Sequence, residues 1–307
     1  MIIGGLTAGA AALASAAYQE AAAARDRRRF APLGRLVRVG DRRMHLLEAG
    51  QGPPTVVIVP ALGSGVLSWE RFQAELATGM RVVVYDRPGI GWSDPPERGR
   101  RTCDDQAEEL RALLDAADVE PPYVLVAHSL GGIFARRFAA RYPETVAGLV
   151  LVDSSHEDQA SRLGRPVYYR SVLRWQCYVL GLRRLRAGLG LLSELDDDTA
   201  SEAVPEHAPA YRASMLSTRG RRVVVRELLL MSRLSESPPP LGSLPLTVIT
   251  AGQQQLADWQ EMQDELAALS ADSVHIVAEG ASHYVHLDAP ELVIQAVKDV
   301  ARRAGLA

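Results

Sequence analysis

Along most of the chain, short apolar runs rich in Val, Ile and Leu alternate with longer stretches in which apolar residues recur at helical spacing. The short runs read as buried strands and the longer stretches as amphipathic helices, so the alternation predicts an α/β fold with crossover helices. Arg35 to Val39 and Met44 to Glu48 read as an antiparallel pair turning at Gly40-Asp41. Thr55 to Val59, Arg81 to Tyr85, Tyr123 to His128 and Gly148 to Asp153 read as strands of the main sheet, and Leu246 to Thr250 and Ser273 to Ala278 follow much later. Helices fit at Trp69 to Ala77, Cys103 to Ala117, Leu130 to Arg141, Trp259 to Leu269 and Pro290 to Arg303, the last opening on a proline, which a first helical turn tolerates. The predicted architecture is a mostly parallel eight-stranded sheet flanked by helices.

From about Ser154 to Gly242 the rhythm breaks. Helix-like segments lie around Tyr168 to Leu189 and Arg221 to Arg233, and the stretch leaves through Pro238-Pro239-Pro240. An insertion this long between two core strands is not a structureless loop; it reads as a helical cap folded over a cleft. Tyr168, Tyr169, Trp175, Leu180 and Leu182 are candidates for an apolar pocket lining, against the plainer reading that they bury the cap on the core. The organisation expected is an N-terminal apolar segment and basic linker over 1–33, a core over 34–153 and 243–307, and a cap over 154–242.

Met1 to Tyr18 is uncharged and is followed by Gln19, Glu20 and the basic cluster Arg25, Arg27, Arg28 and Arg29. Its length admits a membrane span. Most of its apolar residues are Ala and Gly, however, which gain little from transfer into lipid, and no Lys or Arg precedes it as in a signal peptide. A membrane anchor through residues 1–18, a surface or packing helix and a cleaved signal all stay open. In the anchored case Arg25 to Arg29 hold the body on the cytoplasmic side. The expected location is therefore the cytoplasm, with membrane association through the N-terminal segment as its variant.

The 307 residues carry 34 Lys+Arg against 37 Asp+Glu, a net charge of -3. Such a chain has no broad positive field to hold a phosphate backbone, which argues against a nucleic-acid partner. Cys103 and Cys177 make neither a disulfide framework nor a Cys-rich zinc site. The sequence carries no phosphate loop, dinucleotide fingerprint or His/Cys ligand cluster, so neither a metal nor an organic cofactor is expected.

The most informative stretch is Tyr123-Val-Leu-Val-Ala-His-Ser129-Leu-Gly-Gly132, a β-rich run ending in a small-x-Ser-x-Gly turn that leads straight into a helix. This is the pattern of a nucleophile elbow. It holds a serine in a strained turn at a strand end, and small residues two before and two after let strand and helix approach. Those residues are Ala127, where glycine is usual, and Gly131. A serine hydroxyl needs a base, and in this chemistry the base is a histidine late in the chain. His283 lies in Glu279-Gly-Ala-Ser-His283-Tyr-Val-His286, between the last predicted strand and the last helix. His286, three residues on, is the rival and reads better as a supporting or core group; His128 is expected to point away from Ser129. His45, His156, His207 and His275 read as structural.

Together these features resemble the α/β-hydrolase superfamily, from about Gly34 to the C-terminus. Tyr85-Asp-Arg-Pro-Gly-Ile-Gly-Trp-Ser-Asp94 is similar to the loop after the fourth strand of capped members, and Trp69 and Pro290 stand where such members often have them. More narrowly, Arg25 to Phe30, Val152 to His156 and the GASHYVHLD run look like a group of bacterial capped serine hydrolases with an N-terminal hydrophobic segment. The resemblance implies two backbone oxyanion donors, one from the residue after the nucleophile and one from the loop after the third strand. These carry over to Leu130 and to Leu62, although Pro60-Ala61 replaces the family's usual His-Gly before the second donor.

The family usually places the third triad member after the seventh strand in a Gly-x-x-Asp pattern, which here reads Gly252-Gln-Gln-Gln255. Some members use an acid at the end of the sixth strand, where Asp153 stands. Asp153 is preferred, with Asp258 and Asp264 as alternatives and a simple turn cap as the bland role for Asp153. The expected activity is cleavage of a carboxylic ester in a small-molecule acyl substrate by a Ser129, His283 and Asp153 triad. A serine at the elbow argues against the family's epoxide hydrolases and haloalkane dehalogenases, which use an aspartate there. C-C bond hydrolysis, amide hydrolysis and perhydrolysis remain open on the same triad. So does a non-catalytic ligand-binding protein, for which the changes at Gln255 and Pro60-Ala61 speak.

Overall fold

A computed structural model describes residues 2–96, 99, 101–164, 181–188, 205–234, 238–254, 256 and 258–306. The strands are β1 (Arg35–Val39), β2 (Arg42–Ala49), β3 (Thr55–Val59), β4 (Arg81–Tyr85), β5 (Tyr123–His128), β6 (Val146–Val152), β7 (Leu246–Ala251) and β8 (Ser273–Ala278). They form one sheet in the order β1-β2-β4-β3-β5-β6-β7-β8. β2 runs antiparallel to both its neighbours and every other pairing is parallel. The helices are α1 (Ile2–Arg29), α2 (Glu70–Leu76), α3 (Cys103–Ala116), α4 (Leu130–Arg141), α5 (Gln159–Arg162), α6 (Leu182–Gly188), α7 (Ala208–Met215), α8 (Thr218–Met231), α9 (Trp259–Ala267), α10 (Val285–Asp288) and α11 (Pro290–Arg303).

The central strands read as continuous apolar runs because both faces are covered. Period-two alternation sends Val57, Val59, Leu125, Ala127, Leu149 and Leu151 to one side, against α3 and α4 through Leu110, Ile133 and Phe138. Val56, Ile58, Val124, Val126, Val150 and Val152 go to the other, against Trp69, Phe72, Val297 and Val300. β3 lies between β4 and β5, so the chain leaves β3 toward one edge of the sheet and later returns on its other side. Such a switch point opens a crevice at the carboxyl ends of the strands, the usual ligand position in an open α/β sheet. Register puts the key strand ends level there, with Val59 opposite Ala127 and His128 opposite Val152.

Between β6 and β7 the regular elements among the described residues are helices, α5 to α8 and a short 3-10 turn at Pro205–His207. α8 begins three residues earlier than the pattern suggests because the Ser217 hydroxyl accepts the Gly220 N–H at 3.0 Å and caps its N-terminus. Of the proposed pocket lining, Tyr168, Tyr169, Trp175 and Leu180 lie outside the described residues. Leu182, at the start of α6, is 43% exposed.

The membrane-anchored variant for residues 1–18 finds no support in the structure. Among the described residues, no helix is long and apolar enough to cross a membrane. α1 continues without a break through Gln19, Glu20 and the arginine cluster, so that Arg27, Arg28 and Arg29 form its last turn and complement the helix dipole instead of making a linker. The buried Gln19 side chain donates to Leu216 O at 2.7 Å and to the Thr218 hydroxyl at 3.2 Å, and Arg184 reaches Gln19 and Asp26. α1 is in this part a packing helix laid on α7 and α8.

Candidate active site

Three strand ends and one loop converge at the crevice. Ser129 sits between β5 and α4 at φ 52° and ψ −124°, a left-handed conformation that a residue with a Cβ rarely takes. Backbone bonds hold it there: its N–H donates to Val152 O at 3.1 Å, and its carbonyl accepts from Gly132 N at 3.0 Å and Ser155 N at 2.9 Å. The tightness of the turn explains Gly131. A Cβ on that residue would lie 2.2 Å from Val59 O and 2.7 Å from Pro60 O. Ala127 is fully buried with its neighbours in register on β3 and β6, so the methyl in place of the usual glycine is accommodated.

Asp153, one residue past β6, is fully buried and also has a positive φ, 40°. Its Oδ1 accepts from Ala251 N at 3.0 Å and from Trp259 Nε1 at 2.9 Å, while Oδ2 lies 2.5 Å from His283 Nδ1. Burial by itself would raise the carboxyl pKa, but the hydrogen bond and charge of His283, with the two further N–H donors, hold it below the ordinary value. With its Nδ1 side donating to Asp153, His283 keeps Nε2 as its basic nitrogen. The loop carrying it is pinned by Ser282, whose N–H and hydroxyl both bond Asp288.

The structure therefore brings Asp153 and His283 into direct contact. Ser129 stands at the same rim, partly exposed, and among the described residues its hydroxyl has no hydrogen-bond partner. Asp258 is exposed, in a left-handed conformation before α9, and Asp264 pairs with His275 at 2.9 Å; neither meets His283. Gln255 lies outside the described residues. Leu130 opens α4, where a first-turn N–H has no intrahelical acceptor. Leu62 sits in the turn after β3, closed by Ser64 N to Ala61 O at 3.1 Å.

The match with known proteins follows this geometry. The model of a family described as alpha/beta hydrolase fold matches residues 54–290. The chain belongs to that family. This hydrolase is 27% identical over 256 residues to the uncharacterized protein YqjL of Bacillus subtilis, covering 82% of this chain and 85% of YqjL. It is 35% identical over 117 residues to a 2-hydroxy-6-oxononadienedioate/2-hydroxy-6-oxononatrienedioate hydrolase of Paraburkholderia xenovorans, a match covering 37% of this chain and 40% of that one. Among solved structures it shares the fold of a thermophilic esterase from Thermogutta terrifontis, with a TM-score of 0.64 at 23% identity over 88% of this chain and 97% of that one.

Other histidines of this hydrolase support the site from below. His128 is expected only to turn away from Ser129, yet its ring is buried under His283 and its Nε2 donates to the His283 carbonyl at 2.8 Å. His286 stacks on Trp69 with ring centres 3.9 Å apart and planes within 10°. Burial, with the nearby charge of His283, pushes the His286 pKa down to about 3. Burial and the charges of His283 and His286 likewise hold His128 well below the ordinary histidine value. His283 is thus flanked by neutral rings. Trp259 and Ala251, which hold the Asp153 carboxylate, escape any sequence pattern: an indole N–H 106 positions from its acceptor leaves no local signal.

Proposed function

We propose that this protein is a serine hydrolase that cleaves a carboxylic ester through an acyl-serine intermediate. The observation that carries the reading is the buried Asp153 bonded to His283 Nδ1, beside a serine held at positive φ on the adjacent strand end. In the reaction Ser129 Oγ attacks the acyl carbon while His283 Nε2 takes its proton. The oxygen of the tetrahedral intermediate gathers negative charge between the Leu62 and Leu130 N–H groups, which have no acceptor among the described residues. His283 then gives the proton to the leaving alkoxide, and the alcohol departs. Water, deprotonated by the same imidazole, cleaves the acyl-serine and restores Ser129. Asp153 keeps Nδ1 protonated and stabilises the imidazolium between the two transfers. Residues 154–242 act as the cap that selects the acyl substrate.

The test is a fluorophosphonate, which needs an activated serine and no knowledge of substrate, on the wild-type protein and on Ser129→Ala, each weighed intact. A single adduct on the wild type alone, with hydrolysis of p-nitrophenyl esters that Ser129→Ala abolishes, is the expected result. No adduct on either protein refutes the reading. The similarity to the Paraburkholderia hydrolase favours one second reading, hydrolysis of a C-C bond, since the substrate in that protein's name has no ester to cleave. Labelling of Ser129 without turnover of any p-nitrophenyl ester would favour it.

A further inference from the structure

Arg87, two residues past β4, is a guanidinium sealed inside the protein, its side chain 1% exposed. Nε and Nη2 form a two-pronged pair with Glu227 at 2.8 and 3.0 Å. Nη1 donates to Pro60 O at 2.5 Å, and Nη2 also donates to Ala61 O at 2.7 Å. Glu227 belongs to α8, in the helical insertion, and is as deeply buried as its partner. The same helix presses on the loop after β3 a second time, because a Cβ at Gly63 would lie 2.9 Å from Val224 Cγ2. α8 therefore grips that loop on both sides of Leu62.

Two apolar residues of similar volume would fasten a helix to a sheet as well as a desolvated ion pair does, and often better. What apolar residues cannot do is donate to the Pro60 and Ala61 carbonyls. The Ala61–Leu62 peptide is planar and trans, so its C=O and N–H point in opposite directions. Anchoring the Ala61 oxygen on Arg87 turns the Leu62 N–H away from the guanidinium and fixes its direction. Without that anchor only the Ser64 N–H, at 3.1 Å, still holds the Ala61 oxygen, and a rotation that brings the carbonyl round would set oxygen against oxygen in the intermediate.

We propose that Arg87 is a positioning residue for the Leu62 oxyanion donor and that Glu227 couples its orientation to the docking of α8. Assembly of the oxyanion site and docking of α8 on the loop after β3 are then one event. The proposal rests on the acyl-serine reading above, with Leu62 as a donor.

The experiment compares wild type, Ser129→Ala, the double variant Arg87→Met with Glu227→Met, and Arg87→Lys. Each is assayed on a p-nitrophenyl ester and on its thiono counterpart, whose sulfur accepts hydrogen bonds weakly. The double variant replaces the pair by apolar side chains that can still pack, so it is expected to stay folded. Its kcat on the ester falls about 100-fold with KM within about threefold, and its preference for ester over thionoester falls by a similar factor. A merely structural pair would leave that preference unchanged. Arg87→Lys keeps a charge for Glu227 but loses the planar fork, and its kcat falls at least about tenfold at unchanged KM. It carries the test if the double variant does not fold. Wild-type kcat and ester preference in the folded variants would overturn the proposal alone. Loss of Ser129-dependent turnover and labelling in the wild type itself would overturn the parent reading and the proposal with it.

Discussion

Asp153→Asn removes a charge while leaving shape almost unchanged, and the structure dictates how the replacement must sit. The carboxylate is fully buried, with Oδ1 fixed by Ala251 N at 3.0 Å and Trp259 Nε1 at 2.9 Å and Oδ2 facing His283 Nδ1 at 2.5 Å. An asparagine keeps its oxygen toward the first two donors, because the reverse orientation would set its NH₂ against two N–H groups inside a dry site. The NH₂ then faces His283, whose Nδ1 becomes an acceptor and whose proton moves to Nε2. That is the nitrogen required to accept the serine proton. The imidazole stays in place in the wrong tautomer, and the imidazolium formed during the reaction loses its counter-charge. Loss of the triad acid in this way costs about 10³- to 10⁴-fold in kcat, or about 4 to 5.5 kcal/mol. Steady-state kinetics on a p-nitrophenyl ester, beside Asp258→Asn and a check that both variants remain folded, measures the effect. A kcat within about tenfold of wild type, or a larger loss in Asp258→Asn, would refute the assignment of Asp153.

Trp259→Phe removes one of the donors that keep the Asp153 pKa low, so kcat should fall about 3- to 10-fold and the acid limb of its pH profile should move upward. An unmoved acid limb in a folded variant would show that the indole N–H does not tune the acid. Folded His286 has a pKa of about 3 against an ordinary value of 6.5, so the unfolded chain takes up its proton first on acidification. This contribution to stability is complete above about pH 6.5 and is lost progressively as pH falls toward 3, amounting to the order of a few kcal/mol. His286→Phe preserves an aromatic ring against Trp69 and cannot titrate; its urea midpoint should fall less between pH 6.5 and 4 than the wild-type midpoint does. Equal slopes would count against a neutral buried His286.

What the sequence discloses here is what is local. Thr55 to Val59 and Tyr123 to His128 are legible as strands because both faces are buried, and Ser129 because strand, turn and helix sit within ten residues. The N-terminal segment stays ambiguous for the same reason. A run of Ala and Gly followed by arginines has the outline of a span with a basic flank, and only the distant Leu216 and Thr218 reveal Gln19 as a buried contact. Arg87 and Glu227 are separated by 140 positions and look, taken singly, like ordinary surface charges.

Asp153 lies between these extremes. Gly252-Gln-Gln-Gln255 shows a seventh-strand loop without a carboxylate at the expected place, which makes Asp153 at the end of the sixth strand the preferred candidate while leaving Asp258 and Asp264 as alternatives. The contact between Asp153 and His283 follows from register. Because β5 and β6 are parallel neighbours with His128 opposite Val152, the residue after each strand stands level with the other, and these are Ser129 and Asp153. The Ser129 N–H bonds Val152 O, so serine and acid emerge from one hydrogen-bonded step of the sheet. A histidine from the loop after β8 need only reach that step to meet both, and its Nδ1 is already fixed on the acid. Register between strands more than twenty residues apart is set by core packing on both faces of the sheet, not by the residues flanking Asp153, so its contact with His283 becomes legible only with the fold.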